Sequence, residues 1–581
     1  MLRHSRPAVL LALTTLVGFR LLYGLSMPFW FEDERQVYLI GLQSFARSEW
    51  PYFGADVVWT GGQVPGALLG WLIRLPLTIW PAPESPIVFL NLLSVAALAL
   101  LAWYFSRRLP AVPRWLIWAS LFTLPWTLNF STHVVNPSYV LIGAAIFFVG
   151  FFEGMPQLSR HVVPFTVAWS MMGAGLLFVM QLHMSWVLLV PYVAAALVSV
   201  ALTENRTQAV ARAVLAFCVG AAIPGILLVP TILRFGWNAG HVEGAVAFHK
   251  QNPFELVTTA ARVLSFASFE VSRFIGMSTA ERLLVLLRHP LVAVAVIPVA
   301  IAGVLHPIWM AVSAFRRAPP EASAARDWTR VRLLVLATVV LITGSYYFSV
   351  RGPQAHSFYV AFPIAALFAF TCWDVRARAT GGRLPGLERV ATVVIAANMV
   401  LHAGLAIDRL HRQSLNVDRN LVAAAITDRN DRYLGDRRET AQGQSGREPR
   451  PSDPVTDVEA YRSATATGDL QITTAQWTPV ADRISSFEIT IRNGSRVAAW
   501  LDIRLAVTYT DPAGATLETR EVVIKQILQR GESRTWTGVA DGWIPPGASA
   551  ATMAIVGAEK AIPSRLLTLR LVLRFLRGET L

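Results

Sequence analysis

The chain has 581 residues and a formal net charge of +14, and 54% of its residues are hydrophobic while only 15% are charged. A soluble protein of this length carries more charge, so the composition favours a protein that crosses a membrane several times. The basic excess of such a protein collects in its cytoplasmic loops, so no nucleic-acid partner is expected, and two cysteines exclude a disulfide framework.

Long apolar runs predict about eleven membrane-spanning helices, since a span needs roughly 20 apolar residues. The predicted spans are residues 8–27, 86–106, 114–132, 138–154, 163–182, 184–202, 212–233, 289–313, 331–349, 357–375 and 388–407. The first run could also be a signal peptide. Met27-Pro28-Phe29-Trp30 follows it where a cleavage site needs small residues, so an uncleaved span is preferred.

Arginines mark every second connection between these spans. Examples are Arg3, Arg107, Arg160, Arg206, Arg316 and Arg376. Because basic loops stay in the cytoplasm, the N-terminus is predicted to be cytoplasmic, and the long loops 28–85 and 234–288 are predicted to face outward. Residues 64–80 are short, Pro-bounded and interrupted by Arg74, which indicates a helix lying in the membrane interface. A crossing there would invert the topology of everything that follows.

The C-terminal part has a different pattern. Residues 408–467 are polar and predict a short helix near 418–428 followed by a flexible linker. In residues 468–581, short alternating strands and the turn Asp511-Pro512-Ala513-Gly514 predict an all-β sandwich with a basic C-terminal tail. Eleven spans place this domain outside, whereas Arg409 favours the inside. The span count receives more weight, because long domains translocate largely regardless of charge.

Three consecutive acids, Glu32, Asp33 and Glu34, come soon after the first span. A carboxylate at the outer membrane surface can act as a general base toward an incoming hydroxyl or amine. The alternative is that these acids only solvate or cap the next helix, because negative charge is favourable at a helix N-terminus. Taken alone the cluster favours the second interpretation, and its surroundings favour the first.

The acidic pair Asp33-Glu34, the long outer loop, the many spans and the C-terminal soluble domain together resemble the GT-C superfamily of membrane glycosyltransferases. The most similar branch is the protein O-mannosyltransferase and aminoarabinose-transferase group, in which an Asp-Glu-x-x-Tyr-type motif opens the first outer loop. Residues 33–38 are similar to it, with Tyr38 slightly displaced. Segments 63–69 and 348–363 resemble the family's Pro-containing apolar segment and its late outer loop. The resemblance covers about residues 1–407 and leaves the sandwich unexplained.

The resemblance implies an inverting transfer of a hexose or pentose from a polyprenyl-phosphate donor. The acceptor would be a glycan, lipid or protein on the outer face of the inner (plasma) membrane. Asp33 would be the general base, and Glu34 would orient the acceptor or help to bind a divalent metal, whose other ligands the sequence does not indicate. The leaving phosphate needs cationic or hydrogen-bonding partners. The candidates are Arg35, Tyr38, Asn136, His183, Arg351, His356 and Tyr359.

Further polar residues lie at the outer ends of spans. Where many members of the family carry an acid, this chain has His133 and Asn136, which puts a two-carboxylate metal site in doubt; the alternative is a simple turn between spans. Gln181 and His183 are candidates because polar residues at membrane depth often serve function, and the alternative is hydrogen bonding between helices. Arg20, in the first span, is expected to extend toward the membrane surface.

Two other functions compete with a transferase. A transporter or lipid flippase would show ionisable residues at mid-span and inverted repeats. A scaffold would use the sandwich to bind a partner while the membrane part stays inert. The polar residues gather at outer helix ends and no repeat is visible, so chemistry at the membrane surface is preferred.

Overall fold

The computed structural model describes residues 6–26, 32–57, 62–203, 206–237, 240, 248, 257–258, 261, 271–276, 279–315, 322–348, 355–381, 384–412, 422–429, 458–479, 484–524 and 528–561. A bundle of apolar helices occupies the chain as far as residue 412, and an all-β domain begins at residue 470. This architecture confirms the predicted fold class of a helical, multi-spanning protein with a C-terminal β domain.

The first half of the bundle alternates long helices with short interfacial elements. Its helices are α1 (Arg6–Leu25), α2 (Glu32–Arg47), α3 (Leu68–Ile79), α4 (Ser85–Arg108), α5 (Arg114–Thr123), α6 (Pro125–Phe130), α7 (Asn136–Gly154), α8 (Phe165–Met180), α9 (Val190–Ala201), α10 (Arg206–Gly225) and α11 (Val229–Phe235). Strands β1 (Phe53–Val57) and β2 (Gly62–Pro65) form an antiparallel hairpin between α2 and α3. A 3-10 helix, Met184–Leu189, leads into α9.

The second half contains the remaining helices of the bundle. They are α12 (Val271–Ile275), α13 (Thr279–Arg288), α14 (Pro290–Ala314), α15 (Ala322–Tyr346), α16 (Phe362–Ala379) and α17 (Pro385–Arg412). A second 3-10 helix, Ala355–Ala361, leads into α16. Within the described residues, eight helical stretches are long and apolar enough to cross a membrane, and three apolar helices are shorter. The predicted number of eleven spans is therefore not established.

The third predicted span, residues 114–132, is not one continuous helix, and its crossing of the membrane stays a prediction. It divides into α5 and α6 at Leu124-Pro125, where Leu124 is extended with φ −54° and ψ 137°. Proline has no N–H to donate and forces the preceding residue out of the helical region, so the helix stops before Pro125.

Contacts divide the bundle into two ends. Arg108 at the end of α4, Arg160 after α7 and Asp374 near the end of α16 share one ion-pair cluster, and this end is called the basic end. The opposite end contains the N-terminus of α7 and the C-terminus of α8, since Asn136 Nδ2 donates to the carbonyl oxygen of Leu182. It is called the far end. The basic connections predicted near Arg107, Arg160 and Arg376 lie at the basic end, and the connection before Asn136 lies at the far end.

Residues 26–84 start and finish at the far end. Gly24, at the end of α1, approaches both Asn91 of α4 and the carbonyl of Thr132, next to α6. Helix α3 has 12 residues, about 18 Å at 1.5 Å per residue, against a hydrocarbon layer of about 30 Å. Arg74 Nη1 donates to Ser44 Oγ and to the carbonyl of Glu49, both at 3.1 Å, which ties α3 to α2 and its loop.

Glycines allow α7, α8 and α10 to pack closely. A Cβ at Gly175 would lie 2.6 Å from the carbonyl oxygen of Gly143, and a Cβ at Gly173 or Gly220 would collide with the backbone of the facing helix. Membrane helices lack a hydrophobic force between them in lipid, so close backbone approach at small residues is a principal source of packing energy.

Gly220→Ala is expected to lower the free energy of unfolding by about 1–3 kcal/mol, because the added methyl overpacks the α8–α10 contact at Ser170. Gly225→Ala is the matched control on the same helix, where a Cβ meets nothing within 4 Å. Thermal unfolding of the detergent-solubilised protein measures the difference. Equal midpoints for the two variants would contradict the packing argument.

The β domain consists of two antiparallel sheets. Its strands are β3 (Leu470–Trp477), β4 (Ile484–Asn493), β5 (Ala499–Thr510), β6 (Thr516–Ile524), β7 (Ser533–Trp543) and β8 (Ala550–Ala561). The sheet orders are β3-β4-β7 and β6-β5-β8, and side chains such as Ile489, Trp500 and Leu505 fill the core between them. Asp511 Oδ1 accepts from the N–H groups of Ala513 and Ala515, which forms the predicted turn.

The β domain lies beside the far end of the bundle. Arg288, at the end of α13, is 3.9 Å from Glu559 of β8. The next residue, His289, places Nε2 2.8 Å from Oδ1 of Asp408, close to the end of α17. The start of α14 and the end of α17 therefore meet where the β domain is attached.

Candidate functional site

The predicted acidic pair lies in the first turn of α2. Asp33 is the second residue of this helix, and Glu34, the third, has a buried side chain. The side chains of Glu32, Asp33 and Arg35 lie outside the described residues. Helix α2 packs against α3, β1 and α7, so the acidic turn belongs to the far end.

Hydrogen bonds that the sequence did not indicate join α2 to the hairpin. Gln36 Nε2 donates to Oδ2 of Asp56, and Gln63 Nε2 donates to Oδ1 at 2.6 Å. The backbone N–H of Asp56 in turn donates to Gln36 Oε1 at 3.4 Å. Asp56 therefore fixes the hairpin beside the helix turn that carries Asp33 and Glu34.

Tyr38 is fully buried, one turn after Glu34. Its hydroxyl donates to the carbonyl oxygen of Pro83 at 2.6 Å, which joins α2 to the start of α4. Burial raises the pKa of Tyr38, and the nearby Glu84 and Tyr139 raise it further. The Tyr38 hydroxyl has one proton and donates it to the Pro83 carbonyl. The predicted hydrogen bond to the phosphate of the sugar donor would therefore have to replace that contact.

The far end of α8 joins several elements through its last polar residues. Gln181 is buried, and its Nε2 donates to the carbonyl of Pro224 in α10 at 2.8 Å. Its Oε1 faces the residues that follow the β1–β2 hairpin, where a Cβ at Gly66 (φ +116°) would lie 2.5 Å away. The amide nitrogen of Gln181 therefore makes a hydrogen bond between helices, which is the alternative interpretation of this residue.

Among the predicted residues of the late outer loop, only Tyr359 has a described side chain. Arg351 lies outside the described residues, as does the side chain of His356. Tyr359 is buried against Trp126, Phe130 and Phe362, with ring centroids 5.6–6.0 Å apart. Its hydroxyl lies near Ser131 and Arg20. Tyr359 thus packs on the broken helix α5–α6.

Arg20 does not extend to the membrane surface, and that prediction was wrong. Its side chain is fully buried, and Nη2 donates to the carbonyl of Thr127 at 2.9 Å and to Ser131 Oγ at 2.8 Å. Next to it, the Tyr23 hydroxyl donates to Asn129 Oδ1 at 2.7 Å. Arg20 and Tyr23 thus attach α1 to α6 and to the residue that follows it.

The described members of the predicted site lie at the far end of the bundle, on α7 or on elements near it. Helix α2 contributes Glu34 and Tyr38, α7 contributes Asn136, the connection after α8 contributes His183, and the 3-10 helix before α16 contributes Tyr359. Helix α2 and the 3-10 helix before α16 each contact α7. Asn136 of α7 donates to the carbonyl of Leu182, next to His183. Among the described residues, no three His, Cys, Asp or Glu side chains lie close enough to hold a metal ion.

No protein-family model and no curated protein matches this chain. The chain is similar to solved structures of ArnT. The structure of ArnT from Cupriavidus metallidurans bound to undecaprenyl phosphate has 12% sequence identity and a TM-score of 0.42, over 73% of this chain and 79% of ArnT. The arabinosyltransferase EmbB from Mycobacterium smegmatis has 12% identity and a TM-score of 0.32, over 97% of this chain and 66% of EmbB. The Archaeoglobus fulgidus oligosaccharyltransferase has 11% identity and a TM-score of 0.32, over 69% and 55%.

Two histidines at the far end are held neutral. Burial lowers the pKa of His183 to about 4, and burial together with the nearby Arg409 lowers the pKa of His133 to about 4. His183 Nδ1 accepts from the N–H of Ser185 at 3.1 Å, which only the neutral ring can do. The unfolded chain takes up protons near pH 6.5, so stability is complete above that pH and falls as the pH drops toward 4.

His183→Asn is expected to reduce this pH dependence, because an asparagine oxygen can accept from the Ser185 N–H and does not titrate. The unfolding midpoint of the solubilised protein would be measured from pH 7.5 to 4.5 for the wild type and for this variant. His161→Asn, at an exposed position in the connection after α7, is the control. An unchanged slope in His183→Asn would show that this ring does not titrate in that window.

Proposed function

We propose that this protein is a membrane glycosyltransferase that moves a sugar from a polyprenyl-phosphate-linked donor to an acceptor at the outer face of the membrane. The observation that carries the proposal is the position of the Asp33-Glu34 turn. This turn begins a helix that packs on α7, at the end of the bundle where Asn136, His183 and Tyr359 also lie. The topology favoured by the basic loops makes that end the outer one.

The chemistry requires one base and a stabilised leaving group. In the proposed reaction the carboxylate of Asp33 takes the proton from the acceptor hydroxyl or amine as that atom attacks C1 of the sugar. The bond between C1 and the phosphate oxygen breaks, and polyprenyl phosphate leaves with the electron pair. A single displacement inverts the configuration at C1. Glu34, buried one residue later, is suited to orienting the acceptor.

Cationic and polar groups would bind the phosphate as its charge develops. Arg35 and Arg351 are the proposed cations, and Asn136, His183, His356 and Tyr359 are the proposed hydrogen-bonding partners. Asn136 starts α7, and His183 precedes the 3-10 helix that leads into α9. Both therefore belong to helix ends, where backbone N–H groups also favour an anion.

Membranes containing the full chain, supplied with radiolabelled polyprenyl-phosphate sugars, test this function. The expected result is that the label leaves the polyprenyl-phosphate donor and is recovered on a glycan, a protein or a second lipid, and that unlabelled polyprenyl phosphate appears in equal amount. Membranes from cells lacking the chain are the control. If the labelled lipid only changes leaflet and keeps its sugar, the protein is a flippase and the proposal fails. No release with any pentosyl or hexosyl donor would also reject it.

A further inference from the structure

A small polar cavity lies at the basic end of the bundle, away from the proposed site. Its volume is about 110 Å³, and it opens between α4, the connection after α7, α15 and α16. The polar side chains that line it are Arg108, Arg160, Asp327, Trp328, Thr371, Asp374 and Arg378. No part of the proposed transfer reaction uses them.

The carboxylates of this cluster already have hydrogen-bond donors. Asp327 Oδ1 accepts from Arg108 Nη2 at 3.2 Å, and Oδ2 lies 2.8 Å from Arg160 Nη2. Asp374 Oδ1 accepts from the N–H of Ala111 at 3.2 Å, and Oδ2 accepts from Arg378 Nε at 2.7 Å. Each of these oxygens is therefore engaged, which leaves little to attract a cation.

Donors, by contrast, are in surplus. Arg108 Nε and Trp328 Nε1 are buried and have no acceptor among the described residues, and both side chains line the cavity. Glu153, which lies 3.8 Å from Arg108, does not line the cavity and accepts from Tyr104, Ser159 and backbone N–H groups instead. Arg108, Arg160 and Arg378 balance the charges of Asp327, Asp374 and Glu153. The N–H groups without an acceptor are therefore what would favour an anion.

We propose that this cavity binds a phosphate-sized oxyanion. An unpaired buried donor is costly, and an oxyanion in the cavity would offer acceptors to the arginine and tryptophan side chains that line it. A volume of about 110 Å³ is large enough for one such anion. The basic end is the level at which head groups meet the bundle, so the phosphate comes either from solution or from a phospholipid.

Inorganic phosphate is the first probe. The unfolding midpoint of the solubilised full chain would be followed during a sodium phosphate titration, with sodium chloride keeping the ionic strength constant. Trp328→Phe removes one donor, and Arg160→Gln removes a partly exposed cation. Each variant is expected to weaken the saturable shift about tenfold. Arg376→Gln, an exposed arginine on the same end of α16, is the matched control and is expected to bind as the wild type does.

A phospholipid is the second probe. Native mass spectrometry would compare retention of phosphatidylglycerol with that of a phosphate-free galactolipid. Selective retention of phosphatidylglycerol that is lost in Trp328→Phe and Arg160→Gln supports the proposal and names the lipid as the source, whereas a response to inorganic phosphate alone names the free anion. If neither probe binds, or if Arg376→Gln weakens binding as much as Arg160→Gln, the proposal is wrong. Both assays are independent of sugar transfer.

Discussion

Asp33→Asn is expected to slow sugar transfer by about 100-fold or more, because the amide keeps the shape of the side chain but cannot take the acceptor's proton. Glu32→Gln is the matched control, since it removes the same charge from the adjacent residue of the same helix turn. Initial rates in membranes with saturating donor measure the effect. The unfolding midpoint of the variant would be compared with that of the wild type to check that the variant still folds.

The comparison of neighbouring acids distinguishes chemistry from electrostatics. If the three acids only favour the helix N-terminus, Glu32→Gln and Asp33→Asn should have similar, small effects on stability and none on transfer. Glu34→Gln is expected to raise the KM for the acceptor more than it lowers kcat, because an orienting residue mainly affects binding. Full transfer by Asp33→Asn would mean that another group is the base.

The sequence predicted the helices well where hydrophobicity alone decides. The span predicted at residues 86–106 is the helix Ser85–Arg108, and the span predicted at 388–407 is Pro385–Arg412. Residues 64–80 contain the 12-residue helix α3, which is shorter than a full span, and their interfacial position stays a prediction. The β domain begins at Leu470, close to the change to a two-residue period near 468.

The contacts that shape the candidate site were not predictable from the sequence. Asp56 reads as an isolated acid in a loop, yet it joins α2 to the hairpin through two glutamines. Tyr38 was recognised by its motif, but its hydroxyl partner is a carbonyl 45 residues later. Such pairs depend on how distant segments pack, and short motifs contain no information about that packing. Asp33 is a candidate because of the layout around it, since the acidic cluster taken alone favours a helix-capping role.

The break at Pro125 leaves backbone carbonyls without their helical donors, and three side chains replace those donors. Thr127 Oγ1 donates to the carbonyl of Leu121 at 2.9 Å, Arg20 Nη1 to that of Phe122 at 2.9 Å, and Asn398 Nδ2 to that of Thr123. Inside a bilayer no water can serve these carbonyls, so the side chains are what makes the break tolerable. Pro125 accounts for the break, and two of the three compensating donors come from the distant helices α1 and α17.

Arg20→Met is therefore expected to lower the free energy of unfolding by about 2–4 kcal/mol, since the carbonyl of Phe122 and the hydroxyl of Ser131 lose a charged donor. Arg20→Lys should be intermediate, because one ammonium cannot reach all the acceptors that the guanidinium fork reaches. Arg107→Met, at an exposed position on α4, is the control. Thermal unfolding in detergent measures all three variants. Equal midpoints for Arg20→Met and Arg107→Met would mean that Thr127 and Asn398 are sufficient, whereas a selective loss would show that the charged side chain of α1 holds the broken helix together.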